Sequence, residues 1–300
     1  MAKRTGIQLC YPFEERRLLE SKFGWTTPYI VQPKLDGVRA RSMEDKIDCL
    51  QSSTATYLPS VPHIEDAIKQ FNEVTGNVEL LDGELYTHGM TFSEIESIAC
   101  RSVNLHEDYY ALEYHVFDII SPLPDSLRQI LLDELFKTYQ RKVSHSPIKR
   151  VKTMFAYSLH EMYEHTVPLL TDGYEGFIVR HKDAPYRQKR SNQIMKFKPK
   201  KNDIYQIVDV LPAISQTGET LDMVGTFVCK ATEEQQFNVG AGKLTHAQRR
   251  DILSNKDIVV GKWLNVNYQS LTDANRVPRF GVATQIINYA QNDGGLHETA

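Results

Sequence analysis

The texture of this chain changes near residue 203. Downstream, short strand-like runs fall at 204–210, 223–230, 236–240, 258–268 and 279–287, with one helical stretch over 245–254. Turn residues separate most of them. Five strands and one helix in so short a span point to a small β-barrel, the closed form in which short strands leave no exposed edges. Lys200-Lys201-Asn202-Asp203 is polar and lacks periodicity. It sets the expected boundary between a first domain over 1–203 and a barrel domain over 204–300.

Upstream, helices and strands are mixed. Ile64, Ala67, Ile68 and Phe71 recur on one face of a helix over 60–71, which Ser60 is placed to cap. Leu127, Ile130, Leu131 and Leu135 mark the apolar stripe of another helix. Thr91-Phe92-Ser93-Glu94 and Ser158-Leu159-His160-Glu161 have capping-box spacing. Strands are expected at 29–33, 38–42, Val78–Tyr86, Tyr114–Ile119, Phe177–Arg180 and Ile194–Lys198. The expected class is α+β, with antiparallel sheets and helices preceding the barrel.

Composition excludes several kinds of protein. With 41% hydrophobic and 24% charged residues, the chain has the make-up of a soluble globular enzyme. No apolar run approaches the ~20 residues that span a bilayer. Met1–Gly6 is basic but lacks the apolar core of a signal peptide. Cys10, Cys49, Cys100 and Cys229 are scattered without a CxxC pair, which argues against a zinc site or a disulfide framework. The expectation is a reduced, cytoplasmic monomer with no membrane partner. A net charge of -3 argues against coating nucleic acid by bulk charge. Cations cluster locally instead, at Arg187, Lys189, Arg190, Lys196, Lys198, Lys200 and Lys201, as a basic groove or a solvated basic face.

Apolar Tyr29-Ile30-Val31 runs into Lys34-Leu35-Asp36-Gly37-Val38-Arg39-Ala40. A lysine at a strand end can be held at the floor of a cleft. Glycine allows a sharp turn or a close approach to a ligand. Arginine offers a forked, permanent cation suited to phosphate. A free lysine has a pKa of ~10.4, so only ~0.1% is neutral amine near pH 7.5. An attacking lysine therefore needs cationic neighbours, desolvation or a metal. Arg39, Lys196 and Lys198 are candidates for the cationic field. Lys196 and Lys198 project to one face of a strand, with Met195 and Phe197 on the other. They suit a triphosphate, or else an edge strand that deters pairing. Glu84 and Glu175 each sit beside a glycine. Such carboxylates bind ribose hydroxyls or Mg2+, or are ordinary turn residues. Phe117 is either a base platform or a core aromatic.

In this order the pieces resemble the covalent nucleotidyltransferase superfamily, and most closely ATP-dependent DNA ligases. Lys34–Arg39, Asp82–Glu84, Val116–Asp118, Glu175–Gly176 and Met195–Lys198 are similar to its motifs. Residues 204–287 look like its OB-fold barrel. The resemblance implies an ATP-grasp-like nucleotidyltransferase domain followed by an OB-fold. It implies that Lys34 attacks the α-phosphate of ATP to give lysyl-AMP and pyrophosphate. AMP then passes to the 5′-phosphate at a nick in double-stranded DNA. The 3′-hydroxyl seals the strand, in replication, repair or recombination. Carried over, Glu84 contacts the ribose, Phe117 stacks on adenine, and Gln32 accepts from the adenine amino group. Lys196 and Lys198 hold the α-phosphate. Arg39 binds the ribose or the nick phosphate. Arg190 matches the arginine before the last motif. Glu84 and Glu175 serve Mg2+, Asp203 is the interdomain hinge, and the barrel closes for adenylylation before clamping DNA. The size resembles compact ligases of bacteriophages and large DNA viruses.

Two departures stand out. Many ligases place a Ser-Arg pair after the lysine motif, and its arginine binds the nick phosphate. Here Leu50-Gln51-Ser52-Ser53-Thr54 puts Ser53 at that position, which shifts the task to Arg39 or another cation. No Arg-x-Asp-Lys follows, and Arg276–Phe280 resembles the shorter barrel ending of small ligases. RNA ligases and mRNA guanylyltransferases share the lysine motif. Gly225–Cys229 and Val277–Phe280 favour the DNA ligases. A non-catalytic nucleic-acid-binding protein of the same fold remains the rival of a different class, and it predicts no AMP adduct.

Overall fold

The computed structural model describes residues 4–232, 234–242, 244–268, 270–272 and 276–287. Residues 1–3 and 288–300 lie outside them. The chain divides after Lys198 into two units.

Two five-stranded sheets build the first unit. One has the order β1 (Leu9–Pro12), β10 (Arg190–Phe197), β9 (Gly176–His181), β2 (Tyr29–Lys34) and β8 (Met154–Ala156). The other runs β4 (Leu50–Ser52), β3 (Val38–Ser42), β5 (Leu81–Tyr86), β6 (Glu113–Ile119) and β7 (Ile148–Arg150). The turn at Leu35–Gly37 passes the chain from β2 to β3, and so from one sheet to the other. Interior pairs are antiparallel as expected. At two edges, β1 with β10 and β6 with β7, the strands run parallel.

Helices α1 (Arg16–Leu19), α2 (Pro62–Thr75), α3 (Phe92–Ala99), α4 (Asp125–Gln140) and α5 (Leu159–Thr171) complete this unit. Ile64, Ile68 and Phe71 of α2 join Phe136 and Tyr139 of α4 in a core with the second sheet. Each such burial contributes about 1.5–3 kcal/mol. A second core joins Met162 and Leu169 of α5 to Val31, Phe177 and Met195 of the first sheet. Thr91 forms the full capping box with Glu94. Ser158 accepts from the Glu161 amide, while the Glu161 carboxylate accepts from Tyr157 N–H instead of closing the box. Ser60 does not cap α2. Its hydroxyl donates to Ala99 O at 2.6 Å, and Pro62 opens the helix after Val61.

The stripe on α4 departs from the expected one. Leu127 and Ile130 are exposed, and the buried face carries Asp125, Arg128 and Gln129 beside Leu132, Phe136 and Tyr139. Charged side chains face inward there because their partners lie beneath them on β6 and β9.

In the second unit, β11 (Lys201–Ile214), β12 (Thr220–Lys230), β13 (Gln236–Gly240), β17 (Val282–Ile287) and β14 (Trp263–Tyr268) close a barrel in that order. Helix α6 (His246–Ser254) is capped by Thr245 and Gln248, and the short α7 (Lys256–Val259) follows. The expected strand at 258–268 therefore begins as the end of α7 and a turn, and only Trp263–Tyr268 is extended. Val259 alone of Ile258-Val259-Val260 is fully buried, and Gly261, at φ +90°, turns the chain into β14. The run at 279–287 is also broken. A small hairpin of β15 (Ser270–Leu271) and β16 (Pro278–Arg279) ends at Phe280, whose φ of +56° interrupts the extended chain before β17. Among the described residues no helix is long and apolar enough to cross a membrane.

Candidate active site

The edges of β2, β9 and β10 meet around Lys34. β2 pairs with β9 so that Lys34 lies opposite Gly176, and the Glu175 amide donates to Lys34 O at 3.2 Å. A Cβ on Gly176 would lie 2.0 Å from Phe197 O, so only glycine lets β9 and β10 close here. That closure brings three motifs together. One Glu175 carboxylate oxygen contacts Lys34 Nζ and the other contacts Lys198 Nζ. Gly37 works in the same way on the second sheet, where its Cβ would lie 2.2 Å from Leu85 O. Close backbone approach, and not a left-handed turn, is what requires glycine at both places.

Burial pushes the Lys34 amine below the usual lysine range; Glu84 and Asp36 pull it back up, and Arg39 lowers it further. Burial likewise lifts the Glu84 carboxyl above the usual carboxylate range, against Arg39 and Lys34. Lys196 is lowered by burial and then by the Lys34 charge. Three ammonium groups and two carboxylates thus share a poorly solvated space, where charge interactions are strong.

On β3, Arg39 donates from Nε and Nη2 to Asp82 at 2.7 and 2.6 Å, and its guanidinium lies 4.4 Å from the Phe117 ring centroid. Phe117 and His115 occupy the half-buried face of β6, while Tyr114, Val116 and Asp118 are buried. Tyr186 also donates to Asp82, at 2.6 Å. Lys34, Arg39, Glu84, Phe117, Glu175, Lys196 and Lys198 therefore converge. Arg190 sits further out, on the β1–β10 edge. It donates to Cys10 O at 2.6 Å and stacks over Tyr11. With Arg187 and Lys189 it lines a cavity of about 430 Å3.

Gln32, expected to accept from the adenine amino group, is engaged within the protein. Its side chain is buried beneath the site, and both ends of the amide are engaged. Nε2 donates to Phe117 O, Gln129 Oε1 and Thr153 Oγ1 at 3.0–3.1 Å, and Oε1 accepts from Arg180 at 3.2 Å. Sequence reasoning missed what lies under it. Arg180 donates to Asp125 at 2.7 Å and contacts Asp118, and Arg128 donates to Asp118 at 2.7 Å. All four charged groups are at most 3% exposed. Arg180 and Arg128 hold the Asp118 carboxyl below its usual range in spite of burial. The available signal was polarity at periodic helix positions 125, 128 and 129.

Two carboxylates, Glu84 and Glu175, face the Lys34 space. Among the described residues no group of three or more His, Cys, Asp or Glu side chains clusters as a cage. Two carboxylate oxygens suit Mg2+, which prefers oxygen, keeps several waters and takes phosphate oxygens as its other ligands.

A two-sheet domain with a partly buried lysine at the end of β2, followed by a closed five-stranded barrel, is the arrangement that the family comparisons match. The family model for the ATP dependent DNA ligase domain matches residues 17–198, and that for the DNA ligase OB-like domain matches 217–286. The chain belongs to this family. It is 28% identical over 268 residues to the DNA ligase of African swine fever virus, covering 84% of this chain and 62% of the relative, so it spans less than two thirds of that protein's length. A Lig E DNA ligase structure superposes with a TM-score of 0.71 at 20% identity, covering 94% of this chain and 98% of the other. The Chlorella virus DNA ligase-adenylate superposes at 0.51 with 20% identity, covering 96% and 100%.

Proposed function

We propose that this protein is an ATP-dependent DNA ligase, a monomer acting inside the cell, that seals 5′-phosphate/3′-hydroxyl nicks in duplex DNA through a lysyl-AMP intermediate. The observation that carries this is the Glu175 carboxylate held between Lys34 and Lys198 in a buried, cation-rich cleft. Burial already favours the neutral Lys34 amine. As Lys34 loses its proton it attacks the α-phosphorus of ATP. The N–P bond forms, the bond to the β-phosphate oxygen breaks, and pyrophosphate leaves with the electron pair. Lys196 and Lys198 neutralise the α-phosphate oxygens, Glu84 takes the ribose hydroxyls, and Phe117 supports adenine. Arg39, fixed by Asp82, lies beside that platform and orients the ribose. Gln32 acts by holding the Phe117 carbonyl from below. Glu84 and Glu175 would hold Mg2+, which when bound would supply charge neutralisation for the phosphates.

In the second step a 5′-phosphate oxygen attacks the same phosphorus. The P–N bond breaks and its electron pair returns to Lys34, which takes up a proton. The 3′-hydroxyl then attacks the DNA phosphorus, loses its proton and expels AMP. The adenylate form of the Chlorella virus fold relative supports ATP as the donor. The test is sealing of a 5′-phosphorylated nicked duplex with ATP, NAD or GTP in parallel, together with detection of an acid-labile AMP adduct. Sealing with ATP alone, and loss of both adduct and sealing in Lys34→Ala, is the expected result. An undiminished adduct in Lys34→Ala sinks the proposal.

A further inference from the structure

The segment before β1 bridges the two sheets of the first unit. At one end the Thr5 amide donates to Ser53 O at 2.9 Å, just past β4. At the other, Leu9 N–H donates to Lys189 O at 3.1 Å, and β1 pairs with β10. Between them, Gln8 N–H donates to Tyr186 Oη at 3.0 Å, and Gln8 O accepts from Arg39 Nη2 at 3.5 Å. Tyr186 Oη in turn donates to Asp82 Oδ2 at 2.6 Å, and the same oxygen accepts from Arg39 Nη2, also at 2.6 Å. Gln8, Tyr186, Asp82 and Arg39 thus close a ring of hydrogen bonds. Its members come from the bridging segment, the connection between β9 and β10, β5 and β3.

The direction of each bond in the ring is forced. A carboxylate paired with a guanidinium only accepts, so the Tyr186 hydroxyl donates to Asp82 and keeps a lone pair for Gln8 N–H. Asp82 is fully buried, and donors from Arg39 and Tyr186 engage both its oxygens. Arg39 follows the orientation of that carboxylate, because its Nε and Nη2 bind it as a fork. Tyr186 is itself anchored from outside this motif. Its N–H donates to Ser121 O at 3.3 Å, and the Arg128 guanidinium lies 5.9 Å from its ring centroid. We propose that Tyr186 is a positioning residue for AMP loading, whose hydroxyl locks Asp82 and through it sets the Arg39 guanidinium beside Phe117 and the nucleotide. Arg39 meets the nucleotide; Tyr186 acts only through the ring.

The inference rests on the lysyl-AMP reading and adds a positioning residue to its first step. The test measures single-turnover AMP loading from saturating labelled ATP in the unaltered chain, Tyr186→Phe, Arg39→Ala and Tyr186→Phe/Arg39→Ala, with thermal unfolding of each. Tyr186→Phe keeps the ring system of the side chain and removes only the hydroxyl. It should load AMP about tenfold more slowly, as expected when a group that orients the substrate is left loosely held. In the Arg39→Ala background the same change should alter the rate by less than about twofold, since the hydroxyl has no guanidinium left to place. Arg39→Lys gives a second background with the same expectation, because lysine keeps the charge but cannot form the fork. A merely structural role would slow loading by the same factor in every background. An unchanged rate in Tyr186→Phe, or equal slowing with and without Arg39, overturns the role of Tyr186. Loss of the folded state in Tyr186→Phe overturns it as well, because the hydroxyl would then hold the fold and not the guanidinium. Failure of the unaltered chain to load AMP would instead remove the reading beneath it.

Discussion

Lys34, the proposed nucleophile, shows how burial changes a common side chain. Its amine sits below the usual lysine range because burial penalises the ammonium form. Glu84 and Asp36 are among the neighbours that oppose this shift, and Glu175 contacts the amine directly. Removing the Glu84 charge therefore disfavours the ammonium further and lowers the pKa again. Loading of AMP should rise with pH through a midpoint below that of a free lysine. In Glu84→Gln that midpoint should move to lower pH even as the rate falls from loss of the ribose contact. A pH–rate profile of adduct formation checks this, and a midpoint that moves upward rejects it. Lys198→Ala should slow loading by about 10- to 100-fold, since one charge-assisted contact to the α-phosphate is lost. That Lys34, Glu84, Glu175, Lys196 and Lys198 are candidates was legible because each sits in a short local motif, and the fold brings them together. The hydrogen-bond setting of Gln32 was not, because its partners Gln129, Thr153 and Arg180 come from distant parts of the chain.

At the scale of elements, α4, β6 and β9 are joined by buried charge. Arg180 bridges Asp118 of β6 and Asp125 of α4 directly below Gln32. Removing one partner of such a network leaves an uncompensated buried charge, so Arg180→Ala should lower unfolding stability by about 3–5 kcal/mol. Denaturant titration measures it, and a loss under about 1 kcal/mol would be inconsistent with an intact buried pair. Gly176→Ala should fail differently. Its Cβ would lie 2.0 Å from Phe197 O, forcing β10 away from β9 at a cost of about 1–3 kcal/mol and separating Lys198 from Glu175. The expected signature is AMP loading lost while most of the fold survives, read by adduct formation beside circular dichroism. The expected stripe on α4 was misplaced for the reason that makes the network strong. Paired charges are buried there in place of apolar side chains, and hydrophobic periodicity does not register them.

For the whole molecule, each unit carries its own core, one pair of clusters before Lys198 and one inside the barrel. Independent cores predict two unfolding transitions by calorimetry, and a single two-state transition would contradict that. With a net charge of -3, DNA affinity must come from local cations, so it should fall linearly in log-log form with salt. Salt-independent binding would count against duplex DNA as the substrate. Local pattern was enough for the two-part organisation and for most strands, and it singled out Lys34 as the candidate nucleophile, because those features depend on residues near one another in sequence. It could not show that Ile258–Val260 is mostly helix, that Leu127 and Ile130 face outward, or that residues 5–9 bridge the two sheets. Those outcomes depend on which distant groups arrive to pair with a buried charge, fill a core or cap a backbone donor. Only packing in three dimensions brings such groups together.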